Sequence, residues 1–368
     1  MSDRKSPLGR LISRIPKQRT RVSTTDTSSS TTKRINLALQ GGGAHGAFTW
    51  GVLDALLADG RLTIDGISGT SAGAVNAVMV ADGLAHGGPD TARERLTAFW
   101  KAAAESSVLP DLQRDVVERL FPFVPTRAWL DVMAQFWSPQ QINPLNINPL
   151  KDLIERFVDF DAIRACKHPL FIAATNVLTG EARVFTREEI SAEAVMASAC
   201  LPLLFRAVEI DGVPYWDGGY TGNPPLIPFL RHTHTEDVLL VQINPVTRRG
   251  VPITNHDIND RVSEIGFNSG LLAELRAVEF VTKLIDEGAL PHGVGDGLYR
   301  RVRLHRITLD DSGVHFNADS KLKLDQKFFA NLHELGRAAM GRFLDTHFGD
   351  IGARATINVV APTSNAAE

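Results

Sequence analysis

The sequence predicts an α/β protein in three layers, with a mostly parallel central sheet and helices on both faces. Two observations carry this. Near the start of the chain, two strand–turn–helix units come in succession. Farther on, Leu170–Val177 and Val238–Ile243 are continuous, mostly apolar runs, as in strands covered on both sides.

Ile35–Gln40 reads as a short strand that Gly41, Gly42 and Gly43 bring to an end. From Ala47 to Ala58, Phe48, Val52, Leu53, Leu56 and Leu57 recur at helical spacing. Ile64–Ser68 is a second apolar run that breaks at Gly69, and the small residues from Ala72 to Val80 suit a buried helix. Ala207–Ile210 and Val213–Trp216 flank Asp211-Gly212, a hairpin signal. Two long amphipathic helices are expected over 256–288 and 322–347. The first keeps Ile258, Val262, Ile265, Leu272, Leu275 and Val278 on one face, the second Phe328, Leu332 and Leu335.

The chain has 368 residues, 43% hydrophobic and 22% charged, which excludes a fibrous or mostly disordered protein. No apolar run approaches the length of a membrane span, and the basic N-terminus lacks the apolar core of a secretory signal. With only Cys166 and Cys200, no disulfide framework is expected, and a cytoplasmic setting is the reading. The net charge of −3 hides an asymmetry: residues 1–34 carry +7 and the remainder −10. An acidic body argues against nucleic acid as a partner. The basic leader reads as a solvated tail or as a peripheral hold on anionic lipid, worth about 1 kcal/mol per basic residue at the surface. It also has the Arg-rich, acid-poor character of organelle transit peptides.

Three glycine motifs carry the chemistry. Gly41-Gly42-Gly43-Ala44-His45-Gly46 lies between a strand and a helix, and its Gly41, Gly43 and Gly46 fit G-x-G-x-x-G. Backbone N–H groups at the positive end of a helix suit an anion, although a tight turn would use the same residues. Gly69-Thr70-Ser71-Ala72-Gly73 has the spacing of a nucleophile elbow, in which small neighbours let a sharp bend lift the serine hydroxyl above the sheet. A helix-capping serine is the plainer alternative. Asp217-Gly218-Gly219 comes just after the hairpin and by itself is an ordinary turn. Together, an anion loop, an elbow serine and a carboxylate at strand ends describe a site.

In that combination and order the chain resembles the patatin-like phospholipases, over roughly residues 35–230. Met196–Val208 and Tyr215–Gly219 also resemble the family's segment leading into its aspartate. The resemblance implies a patatin-like fold and a Ser-Asp dyad: Ser71 attacks an ester carbonyl, Asp217 takes its proton, and the loop of Gly41, Gly42 and Gly43 holds the oxyanion. It implies lipid or acyl-ester substrates, hydrolysis through an acyl-enzyme, and no metal or other cofactor. His45 stands where the family usually has Arg or Lys, removing a permanent charge beside the loop.

An aspartate near its usual pKa of about 3.9 is a weak base, so Asp217 is expected to be partly buried beside Tyr215 and Trp216. The divisions expected are a leader (1–34), a catalytic domain (35–245), a mainly helical extension (246–350) and a loose tail (351–368). An aromatic and proline-rich insertion over 99–150, containing Phe99, Trp100, Trp129 and Trp137, reads as a cap over an acyl-chain groove or as ordinary packing.

Three rival readings stay open, one of them a non-catalytic scaffold that keeps the fold. An α/β-hydrolase triad could be completed by His232, His234, His256, His292 or His305. A dinucleotide-binding protein could use Gly41–Gly46 with Asp65 as its ribose acid.

Overall fold

The structure is a computed structural model that describes residues 32–106, 148–202, 205–248, 250–312, 320–321, 323 and 325–357. Most of the leader and most of the 99–150 insertion lie outside the described residues, as does the chain beyond 357.

Eight strands form one sheet: β1 (Lys33–Leu39), β2 (Leu62–Gly69), β3 (Leu170–Asn176), β4 (Ala182–Thr186), β5 (Val208–Ile210), β6 (Val213–Asp217), β7 (Asp237–Gln242) and β8 (Arg303–Thr308). Their order is β5-β6-β3-β2-β1-β7-β8, with β4 also on β3. Strands β3, β2, β1, β7 and β8 run parallel, while β4 and β6 run against β3.

Because side chains alternate across a strand, each central strand feeds two cores. Leu37, Leu39, Leu170, Ile172, Leu239 and Val241 enter one, and Ala38, Phe171, Val238 and Leu240 the other. The first is covered by α1 (Gly46–Asp59), α2 (Ala72–His86), α3 (Pro89–Ser106) and α9 (Gln326–His347). The second is covered by α7 (Ile227–His232) and α8 (Asn255–Asp286). This is the three-layer α/β/α arrangement the sequence predicts. Shorter helices α4 (Pro149–Phe157), α5 (Phe160–Ala165) and α6 (Ala192–Ser198) lead into β3 and the β5–β6 hairpin.

Three expectations change. Phe99 and Trp100 are core residues of α3, with Trp100 edge-on to Phe329 of α9 and its indole N–H bonded to Asn76, so neither belongs to a cap. The first half of α8 does not bury the expected apolar face: Leu271, Leu275 and Val278 are inside, but Ile258, Val262 and Ile265 face solvent. Residues 351–357 are tied down, with Ile351 buried and the amides of Thr356 and Ile357 bonded to the Leu304 carbonyl.

The register on β3 positions the site. Phe171 and Ile172 pair with β2 and also with β4; Ala174 and Thr175 pair with β6 and also with β4. A strand has only two edges, so β2 and β6 share the edge opposite β4. Strand β2 ends with Gly69 opposite Ile172, and the oppositely directed β6 ends with Asp217 opposite Ala174. The C-terminal ends of the two strands therefore face each other across Ala173. The residues just past Gly69 must meet Asp217.

Candidate active site

Strand β2 gives way after Gly69 to Thr70 and then Ser71, whose φ of 54° and ψ of −123° depart from both strand and helix. A non-glycine residue held at positive φ costs on the order of 1–3 kcal/mol and persists only where its surroundings enforce it. They do so here. A Cβ on Gly69 would stand 2.5 Å from the Gly73 carbonyl oxygen, and one on Gly73 would stand 2.1 Å from that of Leu39. The Ser71 amide donates to the buried Ser198 hydroxyl at 2.9 Å, and the Thr70 hydroxyl to the Gly222 carbonyl at 2.6 Å. The helix α2 opens at Ala72, so the Ser71 side chain sits at its positive end.

Asp217 is fully buried, deeper than the sequence suggested. Its backbone is fixed by its own N–H to the Cys200 carbonyl and by the Thr175 hydroxyl bonded to its carbonyl. The carboxyl receives the Gly219 N–H at 2.7 Å on Oδ1. The Ser71 hydroxyl is near enough to favour the ionised carboxylate, yet no hydrogen bond joins the two side chains among the described residues, and Oδ2 has no partner there. Burial outweighs these contributions and pushes the Asp217 pKa up to about 7.

The glycine-rich loop lies against Ser71, where a Cβ on Gly41 would stand 2.7 Å from the Ser71 Cβ. Gly43 has a φ of 59°, and neither Gly42 nor Gly43 donates its amide N–H to any described group. The loop is clamped from behind. Gly41 donates to the Asn223 side chain at 2.7 Å, and its carbonyl accepts from Asn244 at 2.6 Å. Gln40 accepts from the amides of Ile243 and Asn244 and donates to Asn268 of α8. Sequence reasoning missed Ser198, Asn223, Asn244 and Asn268, because isolated polar residues far along the chain carry no local signal.

His45 is buried and donates no permanent charge: burial, and Lys321 close by, push its pKa down to about 3. Its Nε2 is 2.7 Å from the Ser320 hydroxyl. The cation missing from the loop sequence arrives instead on Lys321. The Lys321 carbonyl oxygen would lie 2.4 Å from a Gly43 Cβ, and its ammonium sits 5.8 Å from the centre of the Phe267 ring, which packs on Gly219. Its charge favours the ionised form of Asp217.

The rival histidines are engaged elsewhere. His305 and Arg303 hold Asp237 at the start of β7, the opposite end of the strands from Ser71. His234 and His292 face Asp65 and Glu236, and the His232 ring packs on Phe171. The His256 side chain lies outside the described residues. Asp65 itself accepts the amides of His234 and Thr235, which makes it a loop anchor rather than a ribose acid.

Known proteins offer a comparison. Among solved structures, the chain is similar to VipD from Legionella pneumophila, at 15% identity over 86% of this chain and 67% of that one, with a TM-score of 0.41. It is also similar to the heterodimeric ExoU–SpcU complex of the Pseudomonas aeruginosa type III secretion system, at 15% identity and a TM-score of 0.37, covering 88% of this chain and 52% of that one. The chain thus spans about half the length of the latter. No curated protein sequence matches it. The family profile described as Patatin-like phospholipase matches residues 37–230, more than half of the chain. That span takes in the loop, the elbow and Asp217 alike, and the chain belongs to the patatin-like phospholipase family.

Proposed function

We propose that this protein hydrolyses carboxylic esters of lipids through Ser71 and Asp217, with no histidine between them. The observation that carries the reading is a wholly buried carboxyl, pKa about 7, beside a serine held at a strained elbow. A base is most useful when its pKa lies near the working pH, because it is then both available and strong enough to take a proton. A loose serine–carboxyl contact is ordinary before substrate arrives.

The Ser71 oxygen attacks the ester carbonyl carbon while its proton passes to Asp217. The carbonyl oxygen gains the negative charge and is met by the N–H groups of Gly42 and Gly43, which donate to no described group, each worth about 2.7–4 kcal/mol in such a role. Collapse breaks the carbon–oxygen bond to the alcohol, which leaves with the proton from Asp217. Water then attacks the Ser71 acyl ester, again giving its proton to Asp217, and the acid departs as the serine is restored. Neutral His45 and cationic Lys321 border the oxyanion without competing for the serine proton.

The test is lipid profiling of extracts incubated with wild type and with Ser71→Ala, beside hydrolysis of a soluble acetate ester. Acyl lipids should decline, with free acid accumulating, only with wild type. Equal ester turnover by Ser71→Ala would overturn the assignment.

A further inference from the structure

Helix α8 is inverted over its first half. Asp260, Glu264 and Asn268 are buried, whereas Ile258, Val262 and Ile265 are 41%, 64% and 55% exposed. The chain entering the helix adds Val251 and Ile253, at 87% and 89%. The inward polar face has a local cause: Glu264 pairs with Arg248 and Arg261, and Asn268 bridges Gln40 and the Pro245 carbonyl. Those bonds account for the inside and leave a contiguous aliphatic row in water, which is unfavourable unless something covers it.

At 3.6 residues per turn the same stripe continues through Ser269, Ala273, Arg276, Phe280 and Lys283, all exposed. The four acids between 258 and 283 are turned away from it. Asp260 and Glu264 are buried; Glu274 and Glu279 are half-buried, the former accepting the amides of Leu226 and Ile227. Lys283 meets Glu287 only in an exposed pair at 3.7 Å, which solvent screens. An exposed face that is aliphatic at one end, cationic at the other and free of acids is the pattern of a helix lying in a lipid–water interface.

We propose that this face of α8, with Val251 and Ile253, docks the protein on an anionic lipid surface. The inner side of the same helix sets Phe267 on Gly219 and Asn268 on Gln40, so docking face and site are two sides of one element. The proposal gives the hydrolase reading its route to substrate, but binding itself needs no catalysis. A second copy of this chain is the competing occupant, yet two copies of a stripe whose residues 258–283 carry exposed cations and no exposed acid would repel, whereas anionic headgroups attract it.

The test uses the full chain carrying Ser71→Ala, so that turnover does not alter the vesicles. It is co-sedimented with phosphatidylcholine–phosphatidylglycerol vesicles and with pure phosphatidylcholine vesicles. The same is done for Val262→Asp/Ile265→Asp and for Arg276→Glu/Lys283→Glu in that background. The aspartate pair should weaken partitioning by about tenfold or more, and the glutamate pair should abolish the preference for anionic vesicles. With Ser71 intact, both variants should keep wild-type kcat/KM on the soluble acetate ester. Unchanged vesicle binding by the aspartate pair overturns the proposal and leaves the contact to the basic leader. A dimer that becomes monomeric in that variant, with vesicle binding unchanged, assigns the face to a second copy. Vesicle binding without any ester hydrolysis by wild type would break the hydrolase reading and leave the docking face standing.

Discussion

Two aspartates at opposite ends of the sheet, Asp217 and Asp237, are both buried, yet their acidities move in opposite directions. Asp237 is met by Arg303, His305 and the Gly352 amide, which together hold its carboxyl well below the usual range. Asp217 has one amide and the Ser71 hydroxyl, with Lys321 as a more distant charge, and burial wins. The difference shows that burial alone does not make a carboxylate reactive. What matters is burial without enough compensation, which leaves a group able to take a proton. Asp237 is a fastening, and in the proposed function Asp217 is the base.

The sharpest way to break this contrast is to remove each in turn. Asp217→Asn should lower kcat/KM on a soluble ester by about 10²–10⁴-fold, the usual contribution of a general base. Asp237→Ala should instead lower the free energy of unfolding by about 3–5 kcal/mol, because it removes the buried carboxylate to which Arg303, His305 and the Gly352 amide all bond. The kcat of the folded fraction should be unchanged. Denaturant melts and ester assays on both variants decide this, and a catalytic loss at Asp237 would erase the distinction.

The two groups should also pull stability in opposite directions with pH. The folded pKa of Asp217, about 7, lies above its ordinary 3.8, so the folded chain binds more protons between those values. Its contribution to stability is therefore full below about 4 and is lost as pH rises through 7. Asp237, depressed by its cations, contributes stability above its ordinary range that is lost as pH falls through the acid region. Thermal melts should accordingly show Asp217→Asn above wild type at pH 8, with the gap closing toward pH 4.

A smaller effect sharpens the comparison at its one shared element, a nearby cation. The charges around Asp217 are Lys321, with the titratable Cys200 and Tyr220 also close enough to respond to it. Lys321→Met should move the acid limb of kcat/KM to higher pH, and Lys321→Arg should restore it, as read from full pH–rate profiles. Smallest of all, Ser198→Ala removes one neutral hydrogen bond to the elbow, worth about 0.5–1.5 kcal/mol, and should cost kcat no more than about tenfold. A total loss would mean that Ser198 does more than hold the Ser71 amide.

The sequence made the parts of the site legible but not their supports. Gly69, Ser71 and Gly73 are readable because close packing forbids larger residues at fixed spacing, and Asp217 because it ends a hairpin with a clear turn. The clamps Asn223, Asn244 and Asn268 act across the fold, and nothing local distinguishes them from solvated residues. Strand β8 escaped notice because Arg303 and His305 interrupt its apolar run in order to hold Asp237. In α8 the expected single apolar face does not hold, because Ile258, Val262 and Ile265 face solvent while Leu275 and Val278 are buried, and spacing alone could not show where the burial would switch. The polar network behind the glycine-rich loop decided the orientation of its first half.

The central claim is that Asp217 activates Ser71 directly. The most direct measurement is the rate at which a fluorophosphonate probe labels Ser71 as a function of pH. Labelling should rise by about tenfold per unit below pH 7 and level off above it. Asp217→Asn should flatten and depress the profile, while replacements of His232, His234, His256, His292 and His305 leave it intact. A profile preserved in Asp217→Asn, or lost on replacing one of those histidines, would contradict the account.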